Sequence, residues 1–355
     1  MSDRLRDHGL RLGSLPTGLL NAVTDVPGVE VGHVTVRRDE PGPPAGRGVA
    51  RTGVTAVLPG PAGELFDAPA AAGAAVLNGA GELTGFLQLS EWGLLETPVF
   101  LTSTHAVGRV YDGAVAASVA ASPRVGVDDV VIPVVGECDD SWLSEARIVQ
   151  VEAADAGRAV ESAARGAVAE GCVGAGTGMV ALGWKAGIGT SSRAVAEGGV
   201  TLGVLVLANF GGARDLRIDG VGTHAALGHG VELPRPSGSC IAVVATDAEL
   251  SPSQLARLAR RAGLGLARTG SVAHHGSGEI FVAFSTARRP RGEPTPAARA
   301  DLLDPLFAAT VEATEEAVLN ALWAAEDTTG REDRIVRALP HEPTIELLAA
   351  HGRLA

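Results

Sequence analysis

A layered α/β domain of the α+β kind is predicted for this chain, and three observations predict it. Short apolar runs bounded by Gly, Pro, Asn or Asp recur along the sequence, as buried strands require. Longer Ala-rich stretches with charged residues at helical spacing lie between and after them. The two kinds of element do not alternate as regular βαβ units, which argues against a doubly wound parallel sheet.

The elements follow in order. Asn21 to His33 reads as a turn feeding a short strand, and residues 40–50 as a Pro/Gly loop. Gly53 to Leu58, Pro98 to Leu101 and Val130 to Val135 are short apolar runs that fit buried strands. Residues 145–170 carry Glu, Ala, Val and Arg up to Gly171 and are expected to form one long helix. Thr201 to Leu207 is a strongly apolar strand that ends at Asn209-Phe210-Gly211. Residues 212–238 show little periodicity and read as a long surface connection. Ile241 to Thr246 is the next strand, and a well-marked helix follows it. Ser251 can cap that helix, Pro252 suits its first position, and Gln254 completes a capping box. Ile280 to Phe284 is a further strand and 288–297 a Pro/Arg-rich loop. From Ala298 to about Asp327 the pattern is helical, with an interruption expected before Pro305. No repeat and no sharp change of composition divides the chain, so residues 1–355 are taken as one domain.

Composition narrows the function classes. The 355 residues are 46% hydrophobic and 20% charged, enough for a sizeable core. Only 3% are aromatic, so that core must rest on Ala, Val and Leu. The net charge is −12 and Lys185 is the sole lysine; without a basic stripe, no nucleic-acid partner is expected. Cys138, Cys172 and Cys240 form neither a CxxC pair nor an even set, which suits a reduced, cytoplasmic protein. The stretch Met1 to Asp7 lacks an apolar core, so no secretory leader is expected, and no apolar run is long enough to span a membrane.

Five segments could carry chemistry. Gly238-Ser239 stands before the strand Ile241 to Thr246, where a serine would be rigidly held. If its Oγ attacked the Gly238 carbonyl, the peptide bond would become an ester and hydrolyse. A new N-terminal serine would result, with its α-amine beside its own hydroxyl as a general base. Gly238-Ser239-Cys240 also suits a plain turn entering a strand. Ser277 and Glu279 flank one glycine and should face one side of an extended chain, where they could polarise a nucleophile or simply meet solvent. Asn209, at a strand end, could donate to an oxyanion or form a turn. Glu137, Asp139 and Asp140 could bind a substrate ammonium or a divalent cation, or favour a helix start. Gly174 to Gly189 is neither G-x-G-x-x-G nor a Walker loop, so a nucleotide site is not expected. His224 and His229, and the pair His274-His275, match no metal signature.

Taken in order, these segments resemble the L-aminopeptidase/D-esterase/D-amidase family, which includes the β-peptidyl aminopeptidases. The resemblance runs from Asp25-Val26-Pro27-Gly28-Val29 and Val31-Gly32-His33 through Glu91-Trp92-Gly93-Leu94-Leu95-Glu96 and Gly174-Ala175-Gly176-Thr177-Gly178. It continues through Gly187 to Arg193, Ala208-Asn209-Phe210-Gly211, Gly238-Ser239, Val244-Ala245-Thr246-Asp247 and Ser277-Gly278-Glu279. It implies a four-layer αββα sandwich of the N-terminal-nucleophile type, cut by itself into 1–238 and 239–355. It implies that Ser239 is the nucleophile, without metal or organic cofactor. Ser277 and Glu279 would sit beside it, Asn209 in the oxyanion hole, and Glu137 on the substrate amine. The substrate would be a small peptide or amide, and several two-chain protomers would assemble into a homo-oligomer.

One departure stands out. The best-known members place a tyrosine hydroxyl near the oxyanion, in the segment matching Glu137 to Leu143, yet the only tyrosine here is Tyr111. Asp139 or Trp142 occupies that place, and Trp142, whose indole N–H can donate, is the substrate-binding candidate. Two other readings remain. An acyltransferase of the ornithine acetyltransferase type shares the architecture, but with a threonine nucleophile. A non-catalytic homologue acting as a binding protein would keep the fold and stay uncut.

Overall fold

A computed structural model describes residues 3–228, 230–232, 237–293 and 300–355. The strands of the two main sheets in chain order are β1 (Glu30–Arg38), β2 (Ala50–Leu58), β3 (Ala70–Gly79), β4 (Leu94–Leu95), β5 (Val99–Ser103), β6 (Val134–Cys138), β7 (Ile188–Val195), β8 (Val200–Asn209), β9 (Ser237–Thr246) and β10 (Gly276–Ser285). The principal helices are α1 (Phe86–Glu91), α2 (Val107–Ala121), α3 (Ala154–Glu161), α4 (Pro252–Arg268) and α5 (Leu303–Trp323). One sheet has the order β1-β2-β5-β6 and the other β4-β3-β10-β9-β8-β7. Within the second, β9 and β10 run parallel and the other neighbours antiparallel.

Side-chain alternation explains the layering. Along β8, Val204, Val206 and Ala208 join the core beneath α4 and α5, whereas Leu205 and Leu207 face the other sheet. Along β9, Cys240, Ala242 and Val244 take the helix side, and Ile241, Val243 and Ala245 the inter-sheet side. On the first sheet, Val54, Ala56, Phe100 and Val135 pack outward against α2 and α3. Both faces of each sheet are thus covered, and the four layers run helix, sheet, sheet, helix. No helix among the described residues is long and apolar enough to cross a membrane.

Several elements differ from the sequence expectation. Strand β3 opens on six residues that are all alanine or glycine and gives little β-propensity signal. It is a strand because α4 lies directly on it: a Cβ at Gly73 would come within 2.3 Å of the Ala256 nitrogen. The long helix expected over 145–170 is confined to α3. Residues 145–153 instead run irregularly, tied down by Gln150, whose side-chain amide donates to the Arg47 and Glu145 carbonyls. Gly166 and Gly171 then adopt positive φ, which a helix cannot use. Residues 130–133 precede β6 rather than joining it. The stretch 212–238 is less superficial than expected, since Leu216, Ile218 and Val221 enter the core; His229 and 233–236 lie outside the described residues. Pro305 falls in the first turn of α5 and does not break it, because that turn's N–H groups have no helical partner; 294–299 lie outside the described residues.

Candidate active site

Ser239 is the third residue of β9, inside the strand rather than in a turn before it. Cross-strand register sets it opposite Asn209, the last residue of β8, and opposite Gly278 of β10. It is buried, and it follows the inter-sheet set of Ile241 and Val243, so its hydroxyl faces the space between the sheets. Gly238 cannot be replaced without movement. A Cβ there would lie 2.0 Å from the Asn209 carbonyl oxygen.

Ser277 and Glu279 flank Gly278, pairing with Gly238 and Cys240 respectively. The pleat therefore puts both on the helix side, as Cys240 is, and on the same side as each other. The Ser277 hydroxyl donates to Glu279 Oε1, while Oε2 is buried with no hydrogen-bond partner among the described residues. Burial raises the Glu279 pKa above the usual carboxylate range, and the Ser277 bond opposes it. The pair thus brackets the Gly238–Ser239 backbone from the neighbouring strand. Asn78 of β3 holds this turn in place, donating to the Ser277 carbonyl at 2.5 Å and the His274 carbonyl at 3.0 Å.

Asn209 is oriented from both ends. The Val180 N–H donates to its Oδ1 at 2.9 Å, and its Nδ2 donates to the Asp139 carbonyl at 2.9 Å. One amide N–H is left over, next to Ser239 in the register.

Glu137, next to last in β6, comes from the opposite sheet. Its Oε1 accepts from the Glu82 N–H at 3.0 Å, and its Oε2 accepts from the Thr104 hydroxyl. Burial raises its pKa, against these two bonds. Gly81 keeps the space beside it clear: a Cβ there would stand 2.9 Å from Glu137 Oε1 and 3.6 Å from Ser239 Oγ. Ser239 and Glu137 thus border one opening, part of a cavity of about 430 Å³ whose walls include Thr104, His105 and Asp139. Sequence reasoning missed Thr104 and Gly81. They carry no motif, and only the tertiary fold sets them against Glu137.

The remaining candidates separate. Asp139 lines the cavity and is exposed. Trp142 packs away from it, its ring 4.3 Å beneath the Arg334 guanidinium and among Leu143, Val180 and Val336. Tyr111 lies on α2 against the outer core. Lys185, fully buried, donates to the Gly176, Met179 and Ala186 carbonyls and so braces the glycine-rich loop behind Asn209. His274 pairs with Asp215 at 3.2 Å.

Two sheets face to face between helical layers, with a serine behind a glycine inside a central strand and beside an oriented amide, define a hydrolase of the N-terminal-nucleophile fold class. The model of peptidase family S58 matches residues 21–336. The chain belongs to peptidase family S58 and is an aminopeptidase of that class. It is 40% identical to the β-peptidyl aminopeptidase BapA of Sphingosinicella microcystinivorans, over 99% of this chain and 93% of that one. It is similar in structure to the L-aminopeptidase D-Ala-esterase/amidase of Ochrobactrum anthropi, at a TM-score of 0.93 and 39% identity over 100% of both chains. That enzyme is described as a prototype for the serine aminopeptidases and a variant of the Ntn hydrolase fold. A β-aminopeptidase of Burkholderia sp. gives a TM-score of 0.89 at 40% identity over 99% of each chain.

Proposed function

We propose that the chain cuts itself between Gly238 and Ser239, and that Ser239 then releases N-terminal residues from small peptides, amides or esters. The observation that carries this is the register of Ser239 opposite Asn209, with Glu137 across the Gly81 opening. In the first step Ser239 Oγ attacks the Gly238 carbonyl carbon, and the proton passes to the departing Ser239 nitrogen. Water then hydrolyses the ester and leaves a free α-amine. That amine emerges where Ser277 and Glu279 bracket the backbone, and the open Glu279 Oε2 can accept a hydrogen bond from it. In turnover the amine takes the Ser239 hydroxyl proton as Oγ attacks the substrate carbonyl. The spare N–H of Asn209 stabilises the oxyanion, and Glu137 holds the substrate ammonium. The departing amine takes the proton, and water releases the acyl group from Ser239.

The two pieces stay joined. Strands β10 and most of β9 come after the cut, yet they lie between β3 and β8, which come before it. Separation would strip the central sheet of its neighbours and expose large apolar area. The same reading includes α or β and L or D acyl residues, a cytoplasmic location that suits three free, buried cysteines, and assembly of several protomers. Exposed Leu87, Trp92 and Val127 provide apolar surface for such assembly. The test is intact mass and amine release on the same preparations of wild type and Ser239→Ala. Wild type should give pieces of 1–238 and 239–355 and release amine, and Ser239→Ala should remain one inactive chain. A variant that is still cut would assign the nucleophile elsewhere.

A further inference from the structure

The cavity at Ser239 has a second polar end. Its wall there is formed by Thr52 of β2 and by Asp140, just past β6. Both are deeply buried, at 1% and 4% exposure, and both line the cavity. The Thr52 hydroxyl stands next to the Asp140 carboxylate and helps to hold its pKa down, but neither Asp140 Oδ2 nor Thr52 Oγ1 reaches a further hydrogen-bond partner among the described residues. Asp140 makes no ion pair among those residues either. Glu145, the other carboxylate at this end, is already paired with Arg147 at 2.7 Å, and His105 is engaged with the Ala146 carbonyl at 2.8 Å. Exposed Asp139 adds negative charge beside Asp140. A buried carboxylate is stable as an anion only when a cation or several donors meet it.

The fold holds this group in place. A Cβ at Gly178 would lie 2.9 Å from Asp140 Cβ and 2.1 Å from the Arg51 carbonyl, so Gly178 lets Asp140 settle against β2. The Asp140 carbonyl accepts from the Leu143 and Ser144 N–H groups, which fixes the turn. Glu137 is on β6, and β5 stands between β6 and β2. Thr52 lies two strand spacings across and two residues along from Glu137, roughly 12 Å away, and both carboxylates border the same cavity.

Building on the aminopeptidase reading, we propose that Asp140 and Thr52 form a side-chain subsite for an acyl residue that ends in an ammonium group. Glu137 takes the reacting residue's own amine, and Asp140 takes the side-chain cation, with Thr52 as a further acceptor. Preferred substrates would then begin with a basic residue.

The test uses lysinol and norleucinol, which share amine and chain length but lack an acyl group and cannot be turned over. A neutral hydroxyl-ended analogue of the same length is the third probe. Calorimetry on wild type should show lysinol binding roughly ten- to a hundredfold more tightly than norleucinol, the range of one charge-assisted bond. In Asp140→Asn that ratio should fall to near one, and in Thr52→Val it should shrink less. Equal binding of lysinol and norleucinol to wild type would overturn the subsite, as would equal binding of the hydroxyl analogue and lysinol. An unchanged ratio in Asp140→Asn would also overturn it. Hydrolysis of alaninamide by wild type is measured separately. Its absence would refute the enzymatic reading, while the binding ratio would still decide the subsite.

Discussion

Replacing Gly238 by alanine tests the self-cleavage geometry directly. A Cβ at this position would stand 2.0 Å from the Asn209 carbonyl oxygen and 2.9 Å from both the Asn209 carbonyl carbon and Phe210 Cα. Ordinary contacts of this kind need more than about 3.2 Å, so β8 and β9 must part by roughly 1 Å at this point. The obstacle is backbone, and no side-chain rotation removes it. The displacement falls on the two residues that the proposed chemistry needs in register, Ser239 and Asn209. A misplacement of about 1 Å can cost on the order of a hundredfold in rate. Gly238→Ala should therefore cut itself about a hundred times more slowly. The remainder of β9 keeps its pairs with β8 from Cys240 to Thr246, so the variant should still fold. The assay is a time course of intact mass after synthesis, with a melting curve as the control for folding. Cleavage at the wild-type rate in a folded variant would refute the reasoning.

Three further changes probe the surroundings. Glu137→Gln should lower kcat/KM for free-amine substrates by about one to two powers of ten. Self-cleavage should be retained, because the scissile bond presents no free amine and the new carbonyl can still accept from Glu82 N–H; joint loss of processing and turnover on one preparation would assign Glu137 to the fold. Glu279→Gln should lower kcat more than it raises KM, since its charge matters as protons move around Ser239. Wild-type turnover should fall as acid protonates Glu279, at a pH above the usual carboxylate range, and that limb should vanish in the variant; a pure KM effect would make Glu279 a substrate holder. Burial pushes the Asp140 pKa up to about 7, so the folded form holds a proton that the unfolded chain has lost. The stability this gives is complete below the unfolded pKa near 4 and is lost as pH rises to about 7, a loss on the order of a few kcal/mol. Urea midpoints between about pH 4 and about pH 8 should fall less steeply in Asp140→Asn, and parallel profiles would show that Asp140 does not titrate there.

The sequence by itself determined the strands whose apolar runs are long and cleanly bounded, such as β8 and β10, and the start of α4. There Ser251 and Gln254 form the expected capping box, with the Gln254 side chain accepting from the Ser251 N–H at 3.0 Å. These signals are local, and neighbouring residues suffice to produce them. The ordered motifs also carried the family and the identity of Ser239, Asn209, Ser277, Glu279 and Glu137 as candidates. Tertiary structure decided what local pattern could not. Alanine-rich β3 is a strand because α4 packs onto it, and residues 145–153 leave the helical path because side-chain and backbone bonds to Arg47 and Val49 hold them. It set Trp142 under Arg334 and left Asp139 on the cavity. It brought Thr104 to Glu137, and Thr52 to Asp140, from segments far apart in the chain. Such neighbours are selected by strand order and register. Those depend on how two sheets bury their shared faces, an energy summed over the whole core and invisible in any single segment.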